Sequence, residues 1–261
     1  MRGQSFRGAC RRQGSGRAPV RFPRYRSPVR IDDPDTIRSE FATEHEFAAR
    51  RPFYAQEARD TALAAVAAGA PRDVLEIGCG LGDFAARIAQ ELRVDVTAVD
   101  LSLRMVELTR ARGVRAELAD AQALPFADGA FDCVVALWML YHLSDLDLGL
   151  REVVRVLRPR GRLVAVTDGC DHLAELWDLV GPEGRVSLPF SRENGSDVLN
   201  RHFALVERQD VEAEVVFDDQ ATARRYVAST ITRRQLAERL PVFTEPLRAT
   251  CATSVFIATR L

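Results

Sequence analysis

The segment VLEIGCGLGDF, residues 74–84, places three glycines at alternating positions directly after an apolar run. A glycine-rich loop between a strand and a helix is typical of nucleotide binding, because glycine lets the backbone approach a ligand closely. Gly78, Gly80 and Gly82 form G-x-G-x-G, one residue short of the dinucleotide fingerprint, and no Gly-Lys-Ser/Thr of a phosphate loop follows. Asp83 at the helix start would repel a pyrophosphate. The loop therefore favours a ligand other than a diphosphate.

Three acidic residues extend this pattern. Glu76 lies within the strand that precedes the loop, and a buried carboxylate is costly unless it is paired or functional. Asp100 ends the next predicted strand, VTAVD, where an acid binds ribose hydroxyls in nucleoside-binding folds. Asp120 follows the third predicted strand. Asp100 therefore favours a nucleoside ligand, but it does not by itself identify which one.

Together with the segment ADAQALPFADGAFDCVV, these motifs resemble the class I S-adenosylmethionine-dependent methyltransferases, in their small-molecule branch. The resemblance covers roughly Arg72 to Thr167. Its ligand has a sulfonium cation and no phosphate, so nearby acids are tolerated. The resemblance implies an α/β fold, with a Rossmann-like, doubly wound, mostly parallel sheet of seven strands whose last strand is antiparallel, and with helical lid elements.

The resemblance also implies a role for each residue beside the cofactor. Asp100 would bind the ribose, Asp120 would accept from the adenine amine, and Leu137 would offer its carbonyl to the cofactor's amino group. Leu101 and Ala121 would border the adenine. The complete predicted cofactor-binding set is Glu76, Gly78, Cys79, Gly80, Asp100, Leu101, Asp120, Ala121 and Leu137.

The residues LWMLYH follow the fourth predicted strand, where the family places its methyl acceptor. His142 is the candidate general base, because its intrinsic pKa lies near neutrality; the alternative is that it only packs or orients the loop. Tyr54, Trp138 and Tyr141 are candidate substrate contacts, and Arg51 is a candidate contact of the methionine carboxylate. No group of residues has metal-ligand spacing, so we expect no metal.

Alternating strands and helices must position these residues. Repeated β-α units imply a parallel sheet with right-handed crossovers. Helices are predicted at 35–50, 56–68, 84–92, 102–112 and 146–157, and strands at 74–77, 94–99, 114–118, 131–137 and 162–167. Beyond them we predict helices at 172–180, from 196 and at 219–240, and strands at 203–206, 211–217 and 253–258.

This pattern divides the chain into a tail and one domain. Residues 1–30 contain nine arginines and no acid, and they are rich in Gly, Pro and Ser, which predicts a disordered basic tail. Residues 31–261 form the predicted methyltransferase domain. Its predicted parts are N-terminal helices (31–70), a cofactor-binding core (71–168), a lid or substrate insertion (169–240) and a final strand (241–261).

Composition limits the function classes. The chain has 261 residues, 47% of them hydrophobic, and every basic residue is arginine, which we attribute to a GC-rich bacterial genome. No apolar run approaches the ~18 to 20 residues that span a bilayer. The five cysteines lack C-x-x-C spacing, so reduced thiols are expected. The domain carries 27 arginines against 37 acids, which disfavours a nucleic-acid partner.

The sequence therefore predicts a cytoplasmic enzyme that methylates O, N or C of a small molecule with S-adenosylmethionine, in bacterial secondary metabolism. Two alternatives stay open: an RNA or protein methyltransferase, and a protein that binds S-adenosylmethionine without methylating. A nicotinamide-dependent oxidoreductase is disfavoured by the glycine spacing and by Asp83. The acceptor and the oligomeric state are not predicted.

Overall fold

A computed structural model describes residues 31–41 and 44–261, and the predicted tail lies outside these residues. The described part holds seven strands and nine α-helices. The strands are β1 (Asp73–Ile77), β2 (Asp95–Asp100), β3 (Arg115–Leu118), β4 (Phe131–Leu137), β5 (Leu157–Asp168), β6 (Leu205–Phe217) and β7 (Leu247–Thr259). The helices are α1 (Pro34–Glu40), α2 (His45–Arg50), α3 (Gln56–Ala68), α4 (Asp83–Leu92), α5 (Leu103–Ala111), α6 (Leu146–Val156), α7 (Ala174–Leu179), α8 (Gly195–Leu199) and α9 (Gln220–Ala228).

The strands form one sheet in the order β3-β2-β1-β4-β5-β7-β6. Strands β1 to β5 pair in parallel, and β7 is antiparallel to both of its neighbours, β5 and β6. The predicted mostly parallel sheet with an antiparallel last strand is confirmed. The order reverses between β1 and β4, and ligands of open α/β sheets bind at such a switch point, beyond the carboxyl ends of the strands.

Strand β4 shows why the sheet sits in the middle of the molecule. Five of its seven residues are buried, as expected for a central strand covered on both faces. Val135 belongs to the apolar cluster that includes Ile88 of α4, and Val134 to the cluster that includes Leu150 of α6. Successive side chains of β4 therefore pack against helices on opposite faces of the sheet. Among the described residues, no helix has the length and apolar character needed to cross a bilayer.

The N-terminal region differs from the prediction of one helix over 35–50. The structure has α1 and α2 instead. Helix α1 starts earlier because the Asp33 carboxylate accepts the N–H of Thr36 at 2.9 Å and Pro34 occupies the first turn. It ends at Phe41, whose backbone leaves helical geometry (φ −96°, ψ 15°). The Phe41 ring then lies against Phe47, with centroids 6.3 Å apart.

The C-terminal region differs in three places. The two strands predicted at 203–206 and 211–217 are one strand, β6, in which the intervening polar residues lie on an exposed sheet edge. Strand β7 is longer than the predicted 253–258. The helix predicted over 219–240 ends at Ala228. The hydroxyls of Ser229 and Thr230 donate to carbonyls of the last turn, which competes with further helix.

Strand β5 also differs, because the turn predicted at Arg158–Gly161 is an irregular part of the strand. Its pairing with β4 shifts register there, and Arg160 has a φ of +66°. A Cβ on Gly161 would lie 2.8 Å from the Arg158 carbonyl oxygen, so glycine is required for this close approach.

The cysteine prediction is confirmed at three positions and wrong at one. Cys79, Cys133 and Cys251 are buried free thiols, whereas Cys170 is disulfide-bonded.

Candidate functional site

The glycine loop leaves β1 and enters α4 with its backbone pressed against two neighbours. Gly78, Gly80 and Gly82 have φ values of +66°, +52° and +73°. A Cβ on Gly78 would lie 2.8 Å from Cβ of Met139, and one on Gly82 would lie 2.4 Å from Oγ1 of Thr109. Glycine is therefore needed here both for conformation and for space.

Asp100, at the end of β2, is held by the loop it faces. Its Oδ2 accepts the N–H of Gly80 at 3.0 Å, and its Oδ1 accepts the N–H of Ser102 at 2.9 Å. Burial raises the pKa of this carboxyl, and these backbone donors act in the opposite direction. Each oxygen keeps lone-pair capacity, so the carboxylate can still accept the hydroxyls of a ribose.

Glu76 is a buried acid whose charge is poorly compensated. Its side chain is 2% exposed, and its Oε2 has no hydrogen-bond partner among the described residues. Burial raises its pKa to about 8, helped by the negative charge of Asp83 and opposed by the positive charge of Arg59. A cationic group in the cavity would supply the missing partner.

Asp83, the first residue of α4, binds two arginines. Its Oδ2 accepts from Arg59 at 2.5 Å and from Arg51 at 3.2 Å. Arg59 comes from α3 and also lies over the Phe84 ring, 5.3 Å from its centroid. Arg51, the predicted carboxylate contact, does not line the cavity, whereas Arg59 does.

Asp120 is engaged by its own loop. Its carboxylate accepts the backbone N–H of Gln122 at 2.8 Å and the Gln122 side-chain amide at 3.2 Å. Gln122 in turn accepts the N–H of Asp145 at 2.7 Å, which ties the loop to the start of α6. Ala119 and Ala121 line the cavity, but Asp120 is not among its lining residues. A contact between Asp120 and adenine stays a prediction.

An aromatic wall stands on the opposite side of the loop. Tyr54 stacks on Trp138, with centroids 4.8 Å apart and an interplanar angle of 11°. Trp138 has a φ of +52°, which is rare for a bulky residue, and its Nε1 donates to Asp168 Oδ1 at 2.8 Å. The same oxygen accepts the Thr253 hydroxyl at 2.9 Å. The stack and the hydrogen bond together fix the indole.

His142 lies in a short 3₁₀ turn after β4. Its Nδ1 is 2.9 Å from the carbonyl oxygen of Ile31, which can only accept, so Nδ1 carries the proton and Nε2 is left as an acceptor. Burial lowers the pKa of the imidazole to about 4, so it is neutral at physiological pH. The rings of Phe41 and Tyr141 contact its edges, with centroids at 5.8 and 4.5 Å.

These groups surround one cavity beyond the carboxyl ends of β1 to β5, with about 1450 Å³ of empty space including the part open to solvent. The predicted residues that line it are Tyr54, Glu76, Gly78, Cys79, Gly80, Asp100, Leu101, Ala121, Leu137, Trp138, Tyr141 and His142. Charged or polar lining residues outside the predicted set include Arg50, Arg59, Asp168, His172, Tyr226 and Arg233. Only Asp168 had a recognisable signal, its position at the end of a predicted strand.

Five of these residues form what we call the far end of the cavity: Arg50, Asp168, His172, Tyr226 and Arg233. His172 is partly buried, and its buried Nδ1 lies 3.4 Å from Asp168 Oδ1 without a hydrogen bond. Burial lowers its pKa, and the Asp168 charge opposes this. Arg50 donates to Glu40 Oε1 at 3.4 Å and to the Ser229 carbonyl. This end therefore holds positive and donor groups.

One cluster outside the cavity has ligand atoms within 4.8 Å of one another: Cys170, Asp171 and Glu193. The Cys170 sulfur is in a disulfide, so it offers no thiolate. Glu193 accepts the Cys170 N–H at 3.0 Å.

Comparison with known proteins assigns the cofactor-binding core. Residues 75–165 match a family described as "Methyltransferase domain". The chain is 41% identical over 104 residues to methyltransferase GfsG of Streptomyces halstedii, covering 36% of this chain and 37% of that protein. It is 42% identical over 98 residues to 27-O-demethylrifamycin SV methyltransferase of Amycolatopsis mediterranei, covering 34% and 36%. The matches thus span little more than a third of these relatives.

The fold likeness extends further than the sequence likeness. A 1,6-didemethyltoxoflavin-N1-methyltransferase of Burkholderia thailandensis, solved with its substrate and S-adenosylhomocysteine, superposes with a TM-score of 0.56 at 20% identity. The superposition covers 93% of this chain and 94% of that one. The fold therefore agrees over nearly the whole chain, and the sequence agrees where the glycine loop and the acids lie. Residues 75–165 therefore match a methyltransferase domain family, and nearly the whole chain shares the fold of the superposed methyltransferase.

Proposed function

We propose that this protein transfers a methyl group from S-adenosylmethionine to an O, N or C atom of a small molecule, in bacterial secondary metabolism. The observation that carries the proposal is Glu76, a buried acid that lines the cavity beside the glycine loop and whose Oε2 has no hydrogen-bond partner among the described residues. A diphosphate would disfavour ionisation of this acid further, whereas a cationic nucleoside would stabilise its ionised form. The composition and the bacterial relatives support the metabolic setting.

The residues at this end of the cavity fit such a cofactor. Glu76 offers its unpartnered oxygen to the positively charged amino group, and Asp100 offers both oxygens to the ribose hydroxyls. The bare backbone of Gly78 and Gly80 allows close approach, since a Cβ there would already meet Met139 or Phe47. The remaining donors of Arg59 suit the carboxylate of the methionine end.

S-adenosylmethionine supplies a methyl group on a positively charged sulfur, which leaves as a neutral thioether. The protein then mainly has to hold the acceptor atom in line with the methyl carbon and the sulfur, and to exclude water. Orientation alone can lower the activation barrier by ~7 to 11 kcal/mol. The stacked Tyr54 and Trp138 offer a rigid face for positioning the acceptor. A base is needed only if the acceptor is an alcohol or a protonated amine.

His142 is the proposed base for such an acceptor. Its Nε2 is available because Nδ1 donates to Ile31, and the ring is neutral at physiological pH. It would take the acceptor's proton as the new bond to carbon forms. With a pKa of about 4 it is a weak base, so we expect a modest contribution.

The acidic charge of the domain supports a small-molecule acceptor over RNA, because phosphate contacts need a basic face. The charge argument does not concern protein acceptors. A cytoplasmic location and the absence of a nucleic-acid partner stay predictions.

Two measurements test the proposal. Calorimetry should show saturable binding of S-adenosylhomocysteine and none of nicotinamide dinucleotide. Incubation with methyl-labelled S-adenosylmethionine and an extract of small metabolites should then yield a product that gains one labelled methyl group by mass spectrometry. Dinucleotide binding without S-adenosylhomocysteine binding would refute the proposal. Cofactor binding with no methylated product from any acceptor would favour the non-methylating alternative.

A further inference from the structure

Arg233 differs from the other arginines at the far end of the cavity. Its guanidinium carbon lies 3.7 Å from the centre of the Trp177 ring, and its Nη1 donates to the neutral Gly184 carbonyl at 3.2 Å. Its Nε is buried and has no hydrogen-bond partner. No carboxylate of the described residues forms an ion pair with it. Arg233 therefore lines the cavity as a cation that has no ion-pair partner among the described residues.

Two other arginines in this region, Arg50 and Arg234, have a carboxylate that compensates their charge. Arg50 and Arg234 both pair with the carboxylate of Glu40. Arg234 is also about half exposed, so water screens its charge. Burial lowers the pKa of Arg233 to about 10; Tyr226 and the negative charge of Asp168 oppose this, and the positive charge of Arg50 acts in the same direction as burial. Arg233 stays protonated at neutral pH and keeps the cost of an uncompensated buried charge.

The groups around Arg233 are mostly hydrogen-bond donors. Tyr141 and Tyr226 line the same cavity, and burial raises the pKa of both phenols, so both keep their protons. The charge of Asp168 acts on Arg233, but the Asp168 Oδ1 atom accepts from Trp138 and Thr253, and no ion pair joins the two residues. Among the described residues, the far end of the cavity thus offers cations and donors and no carboxylate paired with Arg233.

We propose that the methyl acceptor is a carboxylic acid with a planar apolar body, and that its carboxylate pairs with Arg233. This inference rests on the proposed function, since it names the substrate class for the same cavity. The Nη2 group of Arg233 makes no hydrogen bond within the described chain, so it can donate a charge-assisted hydrogen bond to a carboxylate oxygen. The stacked Tyr54 and Trp138 supply a flat apolar wall for the body.

The test uses the whole chain saturated with S-adenosylhomocysteine, and benzoate and benzamide as probes that share shape and differ in charge. Tryptophan fluorescence suits the titration, because both tryptophans lie at this end: Trp138 in the wall and Trp177 under Arg233. We expect benzoate to bind at least about tenfold more tightly than benzamide, the size of a charge-assisted hydrogen bond. Arg233→Gln should abolish that preference, and Arg234→Gln should leave it unchanged.

Separate outcomes identify which idea fails. Equal binding of the two probes, no saturable benzoate binding, or an Arg233→Gln protein that keeps the preference would each overturn the carboxylate inference. Titration with S-adenosylhomocysteine reports independently on the folding of each variant and on the cofactor end. If Arg233→Gln does not fold, Arg233→Lys keeps the charge without the planar fork and should retain only part of the preference. Absence of S-adenosylhomocysteine binding in the unaltered protein would contradict the proposed function instead.

Discussion

The two ends of the cavity hold their polar groups in different ways. At the glycine-loop end, Asp100 is fixed by backbone N–H groups of Gly80 and Ser102, all within one short stretch of chain. At the far end, Arg50 and Arg233 come from segments 183 residues apart and have few hydrogen bonds. The first end is organised by local backbone geometry, and the second depends on how distant segments pack.

The strongest test of the local end is Gly82→Ala. Its φ of +73° and the 2.7 Å approach of a Cβ to Thr109 Cα combine left-handed strain with a backbone clash. We expect a loss of at least ~3 kcal/mol in the free energy of unfolding, measured in urea. The matched control is Gly113→Ala, whose φ is +81° with nothing within 4 Å of the Cβ; strain alone should cost ~1 to 2 kcal/mol. Equal losses would mean that the packing against Thr109 is unimportant.

Glu76→Gln should separate stability from cofactor binding. The folded-state pKa of about 8 lies above the ordinary value of 4.5 for a glutamate. The protonated carboxyl therefore stabilises the protein below about pH 4.5, and this contribution is lost as the pH rises through 8. From pH 5 to pH 9, the free energy of unfolding of Glu76→Gln in urea should therefore rise by ~2 to 4 kcal/mol relative to that of the unaltered protein. Calorimetry should show weaker S-adenosylmethionine binding. The exposed Glu57→Gln should change neither quantity.

For Glu76, a variant that loses stability equally at both pH values would show that this acid does not titrate between them. Cofactor affinity equal to that of the unaltered protein would contradict its contact with the amino group.

Asp100→Ala should weaken S-adenosylmethionine binding by at least ~1 to 2 kcal/mol in calorimetry, through lost charge-assisted hydrogen bonds. Asp95→Ala, an exposed acid at the start of the same strand, is the control. An unchanged affinity for Asp100→Ala would refute the ribose assignment.

His142→Gln is expected to have the smallest effect, a fall in turnover of about tenfold with an alcohol acceptor, because a base of low pKa contributes little. With saturating S-adenosylmethionine, the turnover of the unaltered protein should fall on the acid side as the pH approaches about 4, where the imidazole gains a proton, and the variant should lack that limb of the profile. The exposed His45→Gln should keep it. If His142→Gln has the same pH profile as the unaltered protein, His142 does not act as a base and only donates a hydrogen bond to the Ile31 carbonyl.

The same contrast explains what the sequence could predict. The glycine loop and Asp100 follow from spacing along a few dozen residues, and the predicted sheet is confirmed because each β-α unit carries its own pattern. The cavity also includes most of the predicted residues, although no observation yet tests their roles. Asp120 is an exception at this end. Its carboxylate accepts the N–H of Gln122, a contact that spacing along the chain does not predict.

The far end could not be predicted because its signals are not local. Nothing near Arg233 in the chain distinguishes it from Arg234, yet one lies on Trp177 and the other pairs with Glu40. The predicted helix over 219–240 includes both arginines and gives no reason to distinguish their surroundings. Its early end at Ala228 depends on hydroxyl bonds to backbone carbonyls, which compete with helix only when the surrounding packing permits.

Strand β7 has a consequence for how the molecule is made. It is the only antiparallel strand among those described, and it pairs with β5 over seven residues and with β6 over thirteen. Until residues 247–259 emerge from the ribosome, β5 presents an unpaired edge and β6 has no neighbour to join. Assembly of this half of the sheet must therefore wait until residues 247–259 have been made, and an exposed strand edge in that interval is where a nascent chain is most open to wrong pairing.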